Sequence, residues 1–245
     1  MELVHRSWLE TRELTAPSKL AAELSAGHFA VLVVEADFVF DETIQDSDDL
    51  RLVGVCRGST NGIDVESATE RGVLVVNAPG RNAQAVAEHA LGLMLALARR
   101  IPAAHDYVKD GRWQNPTEPY VSLRGVELSG RTLGVIGLGT IGCRTASLGS
   151  AVGMSVVAYD PYATSTPDGV VLTGLEELLR RADFVSIHVP LTPDTEGMLD
   201  RRMFTLMRDS AYLVSCSDAT VIEQRALVDA LSEGCIAGAA LDVFE

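Results

Sequence analysis

The chain has 245 residues, 47% hydrophobic and 22% charged, enough to bury a sizeable core, which excludes disordered, collagen-like and miniature scaffolds. With 34 acidic against 20 basic side chains its net charge is -14, which repels phosphate backbones and acidic lipid surfaces and argues against nucleic-acid or membrane partners. The cysteines Cys56, Cys143, Cys216 and Cys235 form no C-x-x-C pair, so no metal site is expected and free thiols in the cytoplasm are.

The segment Met1–Arg6 lacks the basic start and apolar run of a secretory signal. Apolar runs at Phe29–Glu35, Leu50–Cys56 and Val73–Asn77 then read as strands of a parallel sheet covered on both faces. Between the last two, Asp64–Arg71 reads as a short helix, with Asp64 as N-cap and Gly72 as its stop. A long helical pattern follows over Asn82–Gly111, apolar around most of its circumference from Ala83 to Ala98, as expected of a helix between domains or subunits. Its apolar part contains Glu88 and His89 and falls short of the ~20 residues that cross a bilayer. In Gln114–Gly130, Pro116 and Pro119 predict an excursion without regular helix or central strand.

From Arg131 the alternation is regular. Strands are expected at Thr132–Ile136, Ser155–Asp160, Phe184–Val189, Ala211–Cys216 and Ala237–Phe244, and helices at Ile141–Val152, Leu175–Arg181, Arg201–Met207 and Glu223–Ser232. That pattern predicts an α/β fold with a doubly wound parallel sheet.

The sharpest chemical signal is Gly137-Leu138-Gly139-Thr140-Ile141-Gly142, set between an apolar strand and a helix. In a dinucleotide-binding turn the first glycine makes the bend, the second admits the pyrophosphate and the third allows close helix-strand packing. The first helical N–H groups then face the anion. Asp160 follows Gly137 by 23 residues, where a carboxylate accepts the adenosine ribose hydroxyls and repels a 2′-phosphate. NAD is therefore expected rather than NADP. Further strand ends should line the same crevice: His188-Val189-Pro190, Ser215-Cys216-Ser217-Asp218 and Asp242-Val243-Phe244-Glu245. Cys216 has no base near it in sequence and is read as inert.

From about Leu50 the chain resembles the D-isomer-specific 2-hydroxyacid dehydrogenases. The resemblance rests on RGVLVVNAPGRNAQAVAEHALGLMLALARRIP, GRTLGVIGLGTIG, VVAYDPY, VSIHVPLTPDTEGM and ALVDALSEGCIAGAALDVFE, in the family's order. It implies a Rossmann NAD-binding domain over 83–245, with its C-terminal part absent. The same resemblance implies an incomplete flavodoxin-like α/β substrate domain over 1–82, and a homodimer around the helix beginning near Ala83. It places Thr140 and Ile141 at the pyrophosphate, Asp160 at the ribose, and Val189 and Pro190 along the adenosine. Cys216, Ser217 and Asp218 fall beside the nicotinamide, Asp242 at its carboxamide and Ala78 at a further cofactor contact. The loop Arg57-Gly58-Ser59-Thr60 matches the segment whose N–H groups receive the carboxylate of a 2-hydroxy or 2-keto acid.

The resemblance breaks at the catalysts. Asp218 stands where the family's segment N-x-A-R-G has its substrate-orienting arginine, and the family's glutamate and histidine fall beyond Glu245. At about 4 Å two unit charges interact by roughly 4 kcal/mol at an effective dielectric of 20, so a reversed sign weakens an anionic substrate severely. Arg57 is the candidate substitute cation, whereas Arg225 is expected to face solvent. The expected function is NAD-dependent hydride transfer on a 2-hydroxy or 2-keto acid, with no catalytic residue assigned. The alternatives are a non-catalytic NAD(H)-binding regulatory protein and a gene remnant.

Overall fold

A computed structural model describes residues 3–244 of the chain, so Glu245 at the last expected strand end lies outside the described residues. The chain divides into two compact units, Met1–Arg81 and Asn82–Glu245.

The first unit runs α1 (Trp8–Thr11), α2 (Pro17–Ala26), β1 (Val31–Val34), α3 (Asp41–Gln45), β2 (Leu52–Val55), α4 (Val65–Glu70) and β3 (Leu74–Asn77). Its strands pair in parallel in the order β1-β2-β3. As expected, the Asp64 carboxylate accepts the Ser67 N–H at 2.9 Å to start α4, and Gly72 takes the left-handed conformation, φ 68°, that ends it. Strand alternation separates two apolar faces. Val34, Val53 and Val55 pack with Leu24 of α2, Ile44 of α3 and Ala68 of α4. On the opposite face Val31, Val33, Leu74 and Val76 are exposed, so the two-sided cover read from the continuous apolar runs is one-sided here.

The second unit runs α5 (Ala83–Ala98), α6 (Ile101–Lys109), α7 (Thr117–Ser122), β4 (Thr132–Ile136), α8 (Thr140–Ala151), β5 (Ser155–Tyr159) and β6 (Val171–Leu172). It continues through α9 (Leu175–Arg181), β7 (Phe184–Ile187), α10 (Arg201–Leu206), β8 (Tyr212–Ser215), a 3₁₀ turn (Ala219–Val221), α11 (Gln224–Ser232) and β9 (Gly238–Leu241). All strands are parallel, in the order β6-β5-β4-β7-β8-β9. The chain leaves β4 in one direction and resumes at β7 on its other side, the Rossmann switch point. Each face of the sheet has its own cover. Leu133, Val135 and Val214 pack with Ala90 and Met94 of α5 and Ala146 of α8. Ile136, Val185 and Leu213 pack with Leu178 of α9, Phe204 of α10 and Leu227 of α11.

Three expectations change. The long helical pattern breaks where Arg100 turns left-handed, φ 54°, ahead of Pro102. The Pro116–Pro119 stretch does form a short helix, α7, because Pro116 caps it and Pro119 sits in its first turn, where N–H groups have no intrahelical partner. Finally, β7, β8 and β9 stop one to three residues earlier than expected, which frees Val189, Cys216 and Asp242 to be loop residues at the sheet's carboxyl edge. Among the described residues no helix is long and apolar enough to cross a membrane, and no group of three His, Cys, Asp or Glu side chains is placed to hold a metal.

Candidate cofactor site

The loop between β4 and α8 is shaped by glycines. Gly137 has φ 91° and donates its N–H to the Tyr159 carbonyl at 2.8 Å, and a Cβ there would lie 2.7 Å from the His188 carbonyl oxygen. A Cβ on Gly142 would overlap the Gly137 carbonyl oxygen, so the first turn of α8 seats directly on the bend. Gly139 differs: its φ of -66° suits any residue, and a Cβ there would project into open space. That open cradle, beside the unpaired N–H groups of a 12-residue helix, fits the approach of a pyrophosphate.

Asp160 closes the loop. One carboxylate oxygen accepts the Leu138 N–H at 2.8 Å and the other the Tyr162 N–H at 2.8 Å, tying the end of β5 to the glycine turn. A carboxylate has about four lone-pair sites, so capacity for ribose hydroxyls remains. Leu138 and Tyr162 escaped the sequence reading because they contribute backbone groups.

Val189 and Pro190 follow β7 on the other side of the switch point, and Val189 flanks Gly137. Before them, His188 Nε2 lies 2.9 Å from Ser186 Oγ, while its buried Nδ1 has no partner among the described residues. Burial lowers this imidazole from 6.5 to about 4, so it is neutral at pH 7. Below pH 6.5 the unfolded chain gains a proton here that the folded chain refuses until about pH 4, so stability falls as pH drops through that window. Urea unfolding of wild type and His188→Gln at pH 7 and 4.5 is expected to show about 2 kcal/mol less acid destabilisation in the variant. An equal acid loss in both proteins would assign the effect elsewhere.

At the β8 and β9 ends, the Asp242 N–H donates to the Ser215 carbonyl at 2.9 Å, extending the ladder by one residue. Burial, and secondarily the Asp242 charge, push the Cys216 thiol up to about 11, which keeps it protonated and fits the inert reading. The Ser217 hydroxyl is buried with no partner among the described residues. Asp218 is committed locally: one of its oxygens accepts from Thr220 N at 3.1 Å and Thr220 Oγ1 at 2.7 Å, capping the 3₁₀ turn. The D-x-T spacing could have signalled this turn. Arg225 pairs with Asp229 one helical turn along α11 and is largely exposed, as expected. His89 of α5 was not singled out from sequence, yet its Nε2 lies 3.4 Å from Asp242 Oδ1.

The first unit holds a cluster of its own at the carboxyl ends of β2 and β3. Asn77 Nδ2 donates to the Gly58 carbonyl at 2.7 Å, the Ala78 N–H to the Arg57 carbonyl at 2.9 Å, and the Asn61 N–H to Ser59 Oγ at 3.0 Å. Arg57 Nε is buried with no partner among the described residues, and its Nη2 reaches the Asn61 carbonyl at 3.5 Å. Arg57, Gly58, Ser59 and Ala78 thus sit together, as one strand-end group.

Comparison with known proteins agrees with this geometry. Residues 91–245 match the family described as D-isomer specific 2-hydroxyacid dehydrogenase, NAD binding domain. D-3-phosphoglycerate dehydrogenase of Methanocaldococcus jannaschii is 43% identical over 220 residues, covering 88% of this chain and 41% of that protein. YoaD of Bacillus subtilis, named as a 2-hydroxyacid dehydrogenase, is 37% identical over 243 residues, covering 99% of this chain and 71% of that one. Among solved structures, D-lactate dehydrogenase from Aquifex aeolicus complexed with NAD and lactic acid superposes with a TM-score of 0.79 at 32% identity, covering 92% of this chain and 67% of that one. The chain therefore spans about two fifths of the archaeal relative. With a switch-point crevice, a glycine turn pinned by an acidic strand end and a family profile over most of its second unit, this chain belongs to the D-isomer specific 2-hydroxyacid dehydrogenase family and carries its NAD binding domain.

Proposed function

We propose that the chain binds NAD(H) through Gly137, Gly139, Thr140, Ile141, Gly142 and Asp160 and serves hydride transfer on a 2-hydroxy or 2-keto acid only weakly. The capped carboxylate of Asp218 carries this reading. In this proposal Val189 and Pro190 line the adenosine, and Cys216, Ser217 and Asp242 face the nicotinamide. The bound cofactor supplies the hydride. The N–H groups of Gly58 and Ser59, with the Arg57 guanidinium, receive the substrate carboxylate, which the orphaned Nε of Arg57 supports. The two bonds from Thr220 hold the Asp218 carboxylate in place, where a second anionic group is repelled.

The proposal includes a homodimer, supported by Ile101, Val108, Trp113, Tyr120 and Val121, all exposed apolar side chains along and after α6. It also includes a cytoplasmic location, supported by four free cysteines.

The experiment is titration of the NADH-loaded chain with oxamate, an inert 2-keto acid mimic, alongside assay of NADH oxidation with a panel of 2-keto acids. Wild type is expected to bind oxamate weakly and Asp218→Arg at least about tenfold more tightly, the change that removal of a repulsive charge implies. Fast turnover by wild type that survives Asp218→Ala unchanged would sink this reading. The regulatory alternative is favoured if NADH binding shifts the sedimentation of wild type while the panel gives no turnover.

A further inference from the structure

Asp242 and His89 lie 153 residues apart and meet at the edge of the sheet. Asp160, after β5, belongs to the adenosine half of the crevice and Val189 and Pro190, after β7, continue it, so the ends of β8 and β9 form the half left for the nicotinamide. Asp242 is the carboxylate at the carboxyl end of β9, and its backbone is fixed by the bond to Ser215. Its side chain is 42% exposed and, among the described residues, its Oδ1 lies 3.4 Å from His89 Nε2. The backbone of His89 is held from the other side. On α5, which packs against β8 and β9, the neighbouring Ala87 and Ala90 are fully buried, leaving His89 on the boundary of the packed face with its side chain 51% exposed.

We propose that His89 is a positioning residue for cofactor recognition: by holding one oxygen of Asp242 it aims the other at the N–H groups of the nicotinamide carboxamide. This rests on the NAD(H) reading above. An exposed carboxylate without a partner samples several rotamers and loses that freedom on binding, whereas one already held from one side loses less. Imidazole suits the task because its Nε2 can donate to an acceptor-only carboxylate. Cys216, held as a neutral thiol, does not compete for Asp242 as a cation would.

The test is titration calorimetry with two dinucleotides, NAD and its 3-acetylpyridine analogue, which keeps the ring carbonyl and lacks the amide N–H. His89→Ala is expected to weaken NAD about tenfold and leave the analogue within about twofold, since one hydrogen bond to a charged group is at stake. Asp242→Ala should show the same selective loss. His89→Gln, which keeps a donor at similar reach, should recover most of the NAD affinity. Equal weakening of both dinucleotides by His89→Ala would mean that His89 only supports the fold, and no weakening of either would mean that it is idle. Both outcomes overturn the proposal. Failure of the wild-type chain to bind either dinucleotide would instead overturn the cofactor reading itself.

Discussion

Gly142→Ala is expected to destroy cofactor binding and to cost stability together, while Gly139→Ala costs binding alone. A methyl on Gly142 overlaps the Gly137 carbonyl oxygen, which is backbone and cannot rotate away, so α8 must lift from the β4 turn. Overpacking of this kind costs about 1–3 kcal/mol, and displacement of the helix N-terminus removes the N–H groups that face the pyrophosphate. NADH affinity should fall at least about 100-fold by fluorescence titration, with a lowered thermal midpoint. Gly139 has an ordinary φ and open space around it, so its alanine variant should unfold at the wild-type temperature. The added methyl then stands where the pyrophosphate must approach, and affinity should fall by about tenfold or more. Wild-type NADH affinity in both variants would show that the cofactor does not lie on this turn.

Asp160→Ala is the second large effect, because one carboxylate has two duties. Its bonds to Leu138 and Tyr162 hold the turn before any ligand arrives. Hydrogen bonds to charged groups are worth about 1.5–3 kcal/mol each, discounted here because the site is partly open to solvent. Loss of the ribose acceptor and of the pinned loop together should raise the NADH dissociation constant about 100-fold. NADPH should lose less, since the charge that repels a 2′-phosphate is gone, and the ratio of NADH to NADPH affinity should drop by about tenfold or more. Asp160→Asn separates the duties: it keeps an acceptor for one backbone N–H while removing the charge. An unchanged ratio in both variants would remove Asp160 from cofactor selection.

These two effects follow from features that could be read in the chain directly, and others did not. Strands β4, β5, β7, β8 and β9 were legible, most clearly where a fully buried parallel strand is a continuous apolar run, as in β7, which is buried at every position, whereas the two exposed residues of β6 were not. Short elements were not. Only Thr43 and Ile44 of α3 are buried, too few to set a helical period, although Pro17 at the start of α2 was an available N-terminal signal. The proline pair in α7 misled because proline forbids a helix interior and tolerates a first turn. His89 had no local signal at all.

What the sequence determined by itself is the cofactor turn with its acidic strand end, because Gly137, Gly142 and Asp160 all belong to one strand-helix-strand unit whose geometry is set by covalent neighbours and short-range sterics. The tertiary structure alone decided which side chains face each other across the second half of the sheet. Asp242 meets His89 because β9 lies beside β8 and α5 packs over both, a consequence of strand order and layer packing that no spacing along the chain encodes.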